Sequence, residues 1–200
     1  MFEEYKICPY TGLRPFTEDE SIYFKGRDEH IEQATKQLEK NKFIMLTGAS
    51  GDGKSSLVYA GIVPNAKAGF LKATFSNWAV ADFRPERKPL GNLSEAVASQ
   101  LGISADTVRT ELGYGFSALA DIYKASSLYY DTRGAEWLES DERSRNEKKR
   151  KAANLIILAD QFEEFFTNPE NFQKGIPSQE AMSVTNLLLE TARIALEENL

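Results

Sequence analysis

One cysteine, Cys8, is the whole thiol content of the chain, so no disulfide can form within it. Histidine is as scarce: His30 stands alone among charges at the start of a predicted helix and reads as a solvated surface residue without a catalytic role. No apolar run approaches the length of a membrane span. The start, Met-Phe-Glu-Glu, is acidic where a secretory leader would be basic and then apolar. The expected compartment is therefore the cytoplasm, with no membrane partner. An excess of positive charge is also lacking. With 24 Lys and Arg against 30 Asp and Glu, the formal charge is -6, so nothing draws the chain generally to nucleic acid, which is not indicated as a partner. A hydrophobic share of 42% in 200 residues suffices for one medium domain with a sizeable core.

What is present centres on Phe43-Ile-Met-Leu-Thr-Gly-Ala-Ser-Gly-Asp-Gly-Lys-Ser-Ser-Leu-Val58. From Gly48 this stretch has the G-x-x-x-x-G-K-S spacing of a phosphate-binding loop, placed after an apolar run predicted as a buried strand and before a predicted helix. Gly48, Gly51 and Gly53 allow the backbone to turn so that successive N–H groups of Ala49, Ser50, Asp52 and their neighbours can face phosphate oxygens. Lys54 can reach the β- and γ-phosphates, Ser55 can hold Mg²⁺, and Ser56 completes the loop. Leu57, Val58, Ala60 and Ile62 supply the buried side of the following helix, with Gly61 and Pro64 as its stop signals.

Around this loop the periodicities predict an α/β architecture. Thr17 and Glu20 have capping-box spacing in an arm broken by Pro9, Gly12 and Pro15, and Ile31, Ala34 and Leu38 mark a helix ending near Asn41. Phe70–Phe75 reads as a second strand, and Leu90, Leu93, Val97 and Leu101 as the core face of a helix. Ser104 is a helix cap, while Leu119, Ile122 and Tyr123 form an apolar stripe. The mixed charges of residues 139–151 read as a solvated helix face or a loop. Asn154–Asp160 is an apolar run ending in a carboxylate, as in a buried parallel strand whose last residue meets a nucleotide, which makes Asp160 the candidate Mg²⁺ anchor beside Ser55. Phe162, Phe165 and Phe166 read as core anchors, and Ser178 as the cap of a last helix with Met182, Leu189, Ala192 and Leu196 on its apolar side.

Four segments then occur in one order: Pro9-Tyr-Thr-Gly-Leu-Arg-Pro-Phe16, Tyr23-Phe-Lys-Gly-Arg-Asp28, the loop through Val58, and Ile157-Leu-Ala-Asp-Gln-Phe-Glu-Glu-Phe-Phe166. Together they resemble the novel STAND NTPases, bacterial signal-transducing ATPases related to the nucleotide-binding domains of apoptotic and immune receptors. The resemblance implies a phosphate-loop NTPase core, a mostly parallel sheet flanked by helices in three layers. It adds Gly26 and Arg27 as nucleotide contacts near the adenine end. Where many related ATPases place an acid directly after the aspartate, this chain has Gln161, and the resemblance makes Glu163 the first and Glu164 the second choice of general base. Both also suit a helix start, where acids favour the dipole.

The implied division is an aromatic and proline-rich arm over residues 1–27 and a partial NTPase domain over 28–200, with a helical insertion at about 103–152. The family's next strand, which carries a polar sensor and enters beside the phosphate-loop strand, and its winged-helix part find no counterpart in the sequence, so low turnover is expected. The implied function is an ATP-dependent molecular switch in bacterial signalling or anti-phage defence, with ATP, ADP and Mg²⁺ as ligands. Self-association or a protein trigger or effector is the expected partnership. Two other classes stay open: a nucleotide-binding interaction module without hydrolysis, and a free-standing phosphotransferase, for which no acceptor-binding cluster is visible.

Overall fold

The computed structural model describes residues 11, 12 and 14–200, so Cys8, the first residues of the arm and Leu13 lie outside the described residues. The chain divides into two compact units, Met1–Lys72 and Ala73–Leu200. No helix among the described residues is long and apolar enough to cross a membrane.

In the first unit, a 3-10 turn over Glu18–Tyr23 opens with the expected capping box. The Thr17 N–H donates to Glu20 Oε2 at 3.0 Å, and Arg14 donates to the same oxygen at 2.7 Å. Helix α1 (Asp28–Asn41) buries Ile31, Ala34 and Thr35 and ends where Lys42 turns left-handed. Residues 43–47 were expected to form a strand, but they join no ladder among the described residues. Apolar alternation gives a strand its faces, but a neighbouring strand must supply the hydrogen bonds, and among the described residues this run has none. Phe43 and Met45 are 40% and 57% exposed in consequence.

A second correction concerns the helix after the loop. Helix α2 (Lys54–Leu57) passes through a π turn (Val58–Ile62) into α3 (Val63–Lys67), so neither Gly61 nor Pro64 stops it. Pro64 falls in the first turn of α3, where a missing N–H costs no helical bond. Gly61 is instead a packing residue: a Cβ there would lie 2.7 Å from Ile31 Cγ1 of α1.

The second unit is α/β, with a parallel sheet of two strands. Strand β1 (Asn77–Phe83) runs beside β2 (Ala153–Ala159) in continuous register from Asn77↔Ala153 to Phe83↔Ala159. The strand expected at Phe70–Phe75 thus lies further along. Phe70 closes α3, its N–H donating to Asn65 O, and Phe75 is gripped by the Asn154 amide, which donates to its carbonyl at 2.7 Å and accepts from its N–H at 3.1 Å. The side-chain amide does the work of a strand for one residue, and the true ladder starts at Asn77.

Between the strands lie α4 (Pro89–Leu101), α5 (Ala105–Glu111), α6 (Ala118–Ala125), α7 (Ala135–Glu139) and α8 (Glu142–Lys151). Ser104 caps α5 as expected, its Oγ accepting from Thr107 N at 3.0 Å. After β2 come α9 (Glu164–Thr167), the two-residue strands β3 (Phe172–Gln173) and β4 (Ile176–Pro177), and α10 (Gln179–Glu198), capped by Ser178. The core is one cluster: Ala81 and Phe83 of β1, Leu93, Val97 and Leu101 of α4, Leu119 and Ile122 of α6, Phe165, and Val184 and Leu187 of α10. Helix α10 therefore turns a different stripe inward from the expected one. Met182, Leu189 and Leu196 are exposed, because Ala181, Val184, Leu187 and Ile194 form a second apolar face that packs more deeply. Phe166, expected in the core, is 58% exposed, since the short α9 has room to bury only Phe165.

Candidate functional site

In the first unit the glycine loop closes on itself. Asp52 N–H donates to Ala49 O at 3.3 Å, while Ala49 N–H donates to Asp52 Oδ2 at 2.6 Å. A Cβ on Gly48 would stand 2.8 Å from that same carboxylate oxygen, so the turn requires glycine there. Gly51 and Gly53 take φ of 88° and 77°, the left-handed backbone open to glycine, and Gly53 in that conformation starts α2. Lys54 folds back over the loop, its Nζ donating to Gly48 O and Ala49 O at 2.9 Å each.

The loop is braced from outside by the Gly26–Arg27 segment. Gly26 is left-handed, with φ 81°, and Arg27 Nη2 donates to Asp52 O at 3.2 Å. Ser56, by contrast, is buried and its Oγ accepts from Phe16 N–H, so its hydroxyl is committed to the arm. Ser55 is half-buried at the start of α2. Thus Gly26, Arg27 and the loop from Gly48 to Ser56 form one assembly within the first unit.

This assembly fits an anion. Among the described residues the N–H groups of Ser50, Gly51, Gly53 and Lys54 donate to no backbone carbonyl outside a helix, which leaves donors at a helix start beside a primary amine. A phosphate chain matches that donor set.

The acids lie in the second unit. Asp160 extends the β2 ladder by one bond, its N–H donating to Phe83 O at 3.0 Å, and its carboxylate, 12% exposed, accepts from Arg84 Nη2 at 2.9 Å. Gln161 then turns left-handed, with φ 56°. The two acids that follow differ. Glu164 Oε2 accepts from Glu86 N–H at 2.8 Å, whereas Glu163 is exposed and its carboxylate has no hydrogen-bond partner among the described residues. No cluster of three His, Cys, Asp or Glu suited to a metal occurs among the described residues. Ser55 belongs to the first unit and Asp160 to the second; a hydroxyl and a carboxylate are each oxygen donors of a kind that Mg²⁺ accepts.

Sequence reasoning missed the loop between β1 and α4. Asn171 Nδ2, from a side chain 1% exposed, donates to Glu86 O, as does Asn168 Nδ2 at 2.9 Å, and Asn92 Nδ2 donates to Arg84 O at 2.9 Å. Residues 84–86 are thereby fastened to the segment after Asp160. The available signal is Arg84-Pro85 directly after the end of β1.

The sequence profile described as Novel STAND NTPase 1 matches residues 9–198. Among curated proteins, UvrABC system protein A of Rickettsia typhi is 27% identical over 117 residues, covering 56% of this chain and 12% of that protein. UvrABC system protein A of Methanothermobacter thermautotrophicus is 28% identical over 110 residues, 54% of this chain and 11% of that protein. The chain thus aligns with only about an eighth of the length of these relatives. No solved structure matches.

Proposed function

Because the chain belongs to the novel STAND NTPase 1 family, whose name implies a bound nucleotide, we infer that it is the ATP-binding part of a nucleotide-dependent switch. The observation that carries this reading is Lys54 Nζ held at 2.9 Å over the carbonyls of Gly48 and Ala49, beside backbone N–H groups that donate to no backbone carbonyl outside a helix. In this reading the N–H groups of Ser50, Gly51, Gly53 and Lys54 and the Lys54 amine bind the phosphates. Gly26 and Arg27 fix the loop from its adenine side, Arg27 through Asp52 O. Ser55 in the first unit and, separately, Asp160 in the second are the candidate Mg²⁺ ligands, and the metal when bound would neutralise charge on the phosphates. Glu163, exposed and without a hydrogen-bond partner among the described residues, is the general base, because Glu164 is already engaged with the Glu86 N–H.

We assign the core to the phosphate-loop class, with residues 43–47 becoming a sheet strand once a neighbouring strand pairs with them. Until then that run exposes backbone groups together with Phe43 and Met45, which supports self-association or capture of a trigger or effector protein. Turnover is accordingly slow in isolation. A role in bacterial signalling or anti-phage defence, inside the cytoplasm, follows from the family alone.

The test pairs equilibrium binding of ATP, ADP and GTP, in Mg²⁺ and in EDTA, with a phosphate-release assay. Tight ATP and ADP binding with slow release is expected. Absence of nucleotide binding would overturn the reading, and fast constant release by a monodisperse monomer would replace the switch with a free-standing enzyme.

A further inference from the structure

Helix α8 contains no apolar residue, so burial does not hold it in place. Polar contacts do. Asp141 caps its start, accepting from Ser144 N–H at 2.7 Å, and Asn77 Nδ2 donates to Arg150 O and Ala152 O at its end. Arg145 Nε donates to Trp137 O at 3.0 Å and Lys148 Nζ meets Glu136 Oε1 at 2.6 Å, which fastens α7 alongside. Winding also sorts the mixed charges of this run. Glu142 stands in the first turn and Glu147 faces Arg143 at 3.5 Å, leaving Lys148, Lys149, Arg150 and Lys151 as the whole last turn. Residues 143–151 hold six of the chain's 24 Lys and Arg and one of its 30 Asp and Glu. A helix C-terminus offers about half a negative charge, so four adjacent cations exceed what the dipole offsets, and they repel one another. Lys149, Arg150 and Lys151 are exposed, and none makes a side-chain hydrogen bond or ion pair among the described residues. Lys149 Nζ instead lies 5.9 Å from the centre of the Trp137 ring, and Lys148 Nζ 5.5 Å from that of Tyr130. Two half-buried aromatic rings thus stand among the cations.

Cations without acids, beside flat rings, match a chain of phosphates that carries flat bases. A bilayer is a poorer match, because α8 has no apolar side chain to lower into it. An acidic protein surface would use the charges and leave the rings idle. We propose that α8 and Trp137 form a binding surface for single-stranded nucleic acid, in which Lys149, Arg150 and Lys151 take phosphates and Trp137 stacks on a base. All four residues belong to the second unit, and the proposal does not depend on the nucleotide site.

The experiment reads the fluorescence anisotropy of a fluorescein-labelled single-stranded oligonucleotide, DNA and RNA in separate arms, titrated with the full chain over a range of KCl. Saturable binding that weakens with salt is expected. The triple variant Lys149→Gln, Arg150→Gln, Lys151→Gln spares Arg145 and Lys148, and should flatten the slope of log affinity against log salt by about 2. Trp137→Leu should weaken binding about tenfold with that slope unchanged, and Trp137→Phe should restore it. Thermal unfolding checks each variant, and if the triple variant does not fold, Arg150→Gln alone should flatten the slope by about 0.7. No binding at low salt, or binding that the triple variant leaves unchanged, overturns the proposal. Loss of binding in Lys54→Ala, with the triple variant at parent affinity, would place the oligonucleotide on the glycine loop and overturn it as well. So would anionic phospholipid vesicles bound in preference to both oligonucleotides. A duplex bound as tightly as the single strand, with Trp137→Leu at parent affinity, also overturns it, because only charge would then be read.

Discussion

Replacing Gly61 with alanine sets two effects against each other on the helix that starts at the phosphate loop. Alanine is favoured over glycine in a helix by about 1 kcal/mol. Against this, the new Cβ would lie 2.7 Å from Ile31 Cγ1 and 2.9 Å from Ile31 Cδ1, inside van der Waals contact. Ile31 is 8% exposed, so it cannot swing into water. Overpacking of this kind costs about 1–3 kcal/mol, which leaves Gly61→Ala about 1 kcal/mol less stable than the parent. For a chain of this length that corresponds to a fall in midpoint of about 2–4 °C. Far-UV circular dichroism during urea or thermal unfolding is the suitable assay. In an Ile31→Ala background the clash is gone, and the same substitution should stabilise by up to about 1 kcal/mol. If Gly61→Ala stabilises the parent itself, the contact with α1 does not constrain this glycine.

Two further substitutions probe the acids. Glu164→Ala leaves the Glu86 N–H without its acceptor and should cost about 1–2 kcal/mol in unfolding experiments, whereas Glu163→Gln should stay within about 0.5 kcal/mol of the parent, keep nucleotide affinity and lower phosphate release. Loss of release on Glu164→Gln alone, with Glu163→Gln active, would reverse the assignment. The arm has an acid-sensitive anchor as well. The Arg14 hydrogen bond, followed by that from the Thr17 N–H, holds the Glu20 carboxyl at about 2 against an ordinary 4.5. A depressed folded value stabilises above the unfolded one, so the advantage of the parent over Glu20→Gln should be full above pH 4.5 and vanish as pH falls to about 2. An advantage that persists at pH 2 would remove Glu20 as its source.

The parts legible in the sequence were those set by local chemistry. G-x-x-x-x-G-K-S has fixed spacing, and the loop from Gly48 to Ser55 folds into the turn that its glycines permit. The caps Ser104 and Ser178 and the Thr17–Glu20 box are exchanges within a few residues, and all three form. The features that were missed depend on distant partners. Strand β1 starts at Asn77 because Asn154 grips Phe75 across 79 residues, and no local pattern encodes that. Gly61 resembled a helix stop because its neighbour in space, Ile31, lies on another helix. Residues 43–47 show strand composition, but pairing is a property of two segments, and only one is visible in a local pattern. The attachment of residues 84–86 to Asp160, Glu164 and Asn171 spans 76 to 85 residues, so Arg84 gave no sign of its partner.

Nucleotide binding through the glycine loop is tested most directly by calorimetric titration of Mg-ATP into the parent and into Lys54→Ala. Lys54 is the one cation of the Gly48–Ser56 loop, and its amine already rests on the loop carbonyls. The parent should bind, and at a hundredfold excess of ligand over its dissociation constant should gain about 2.7 kcal/mol of stability, with Lys54→Ala showing neither heat nor gain. Equal affinity in Lys54→Ala would contradict the assignment of this loop to phosphate.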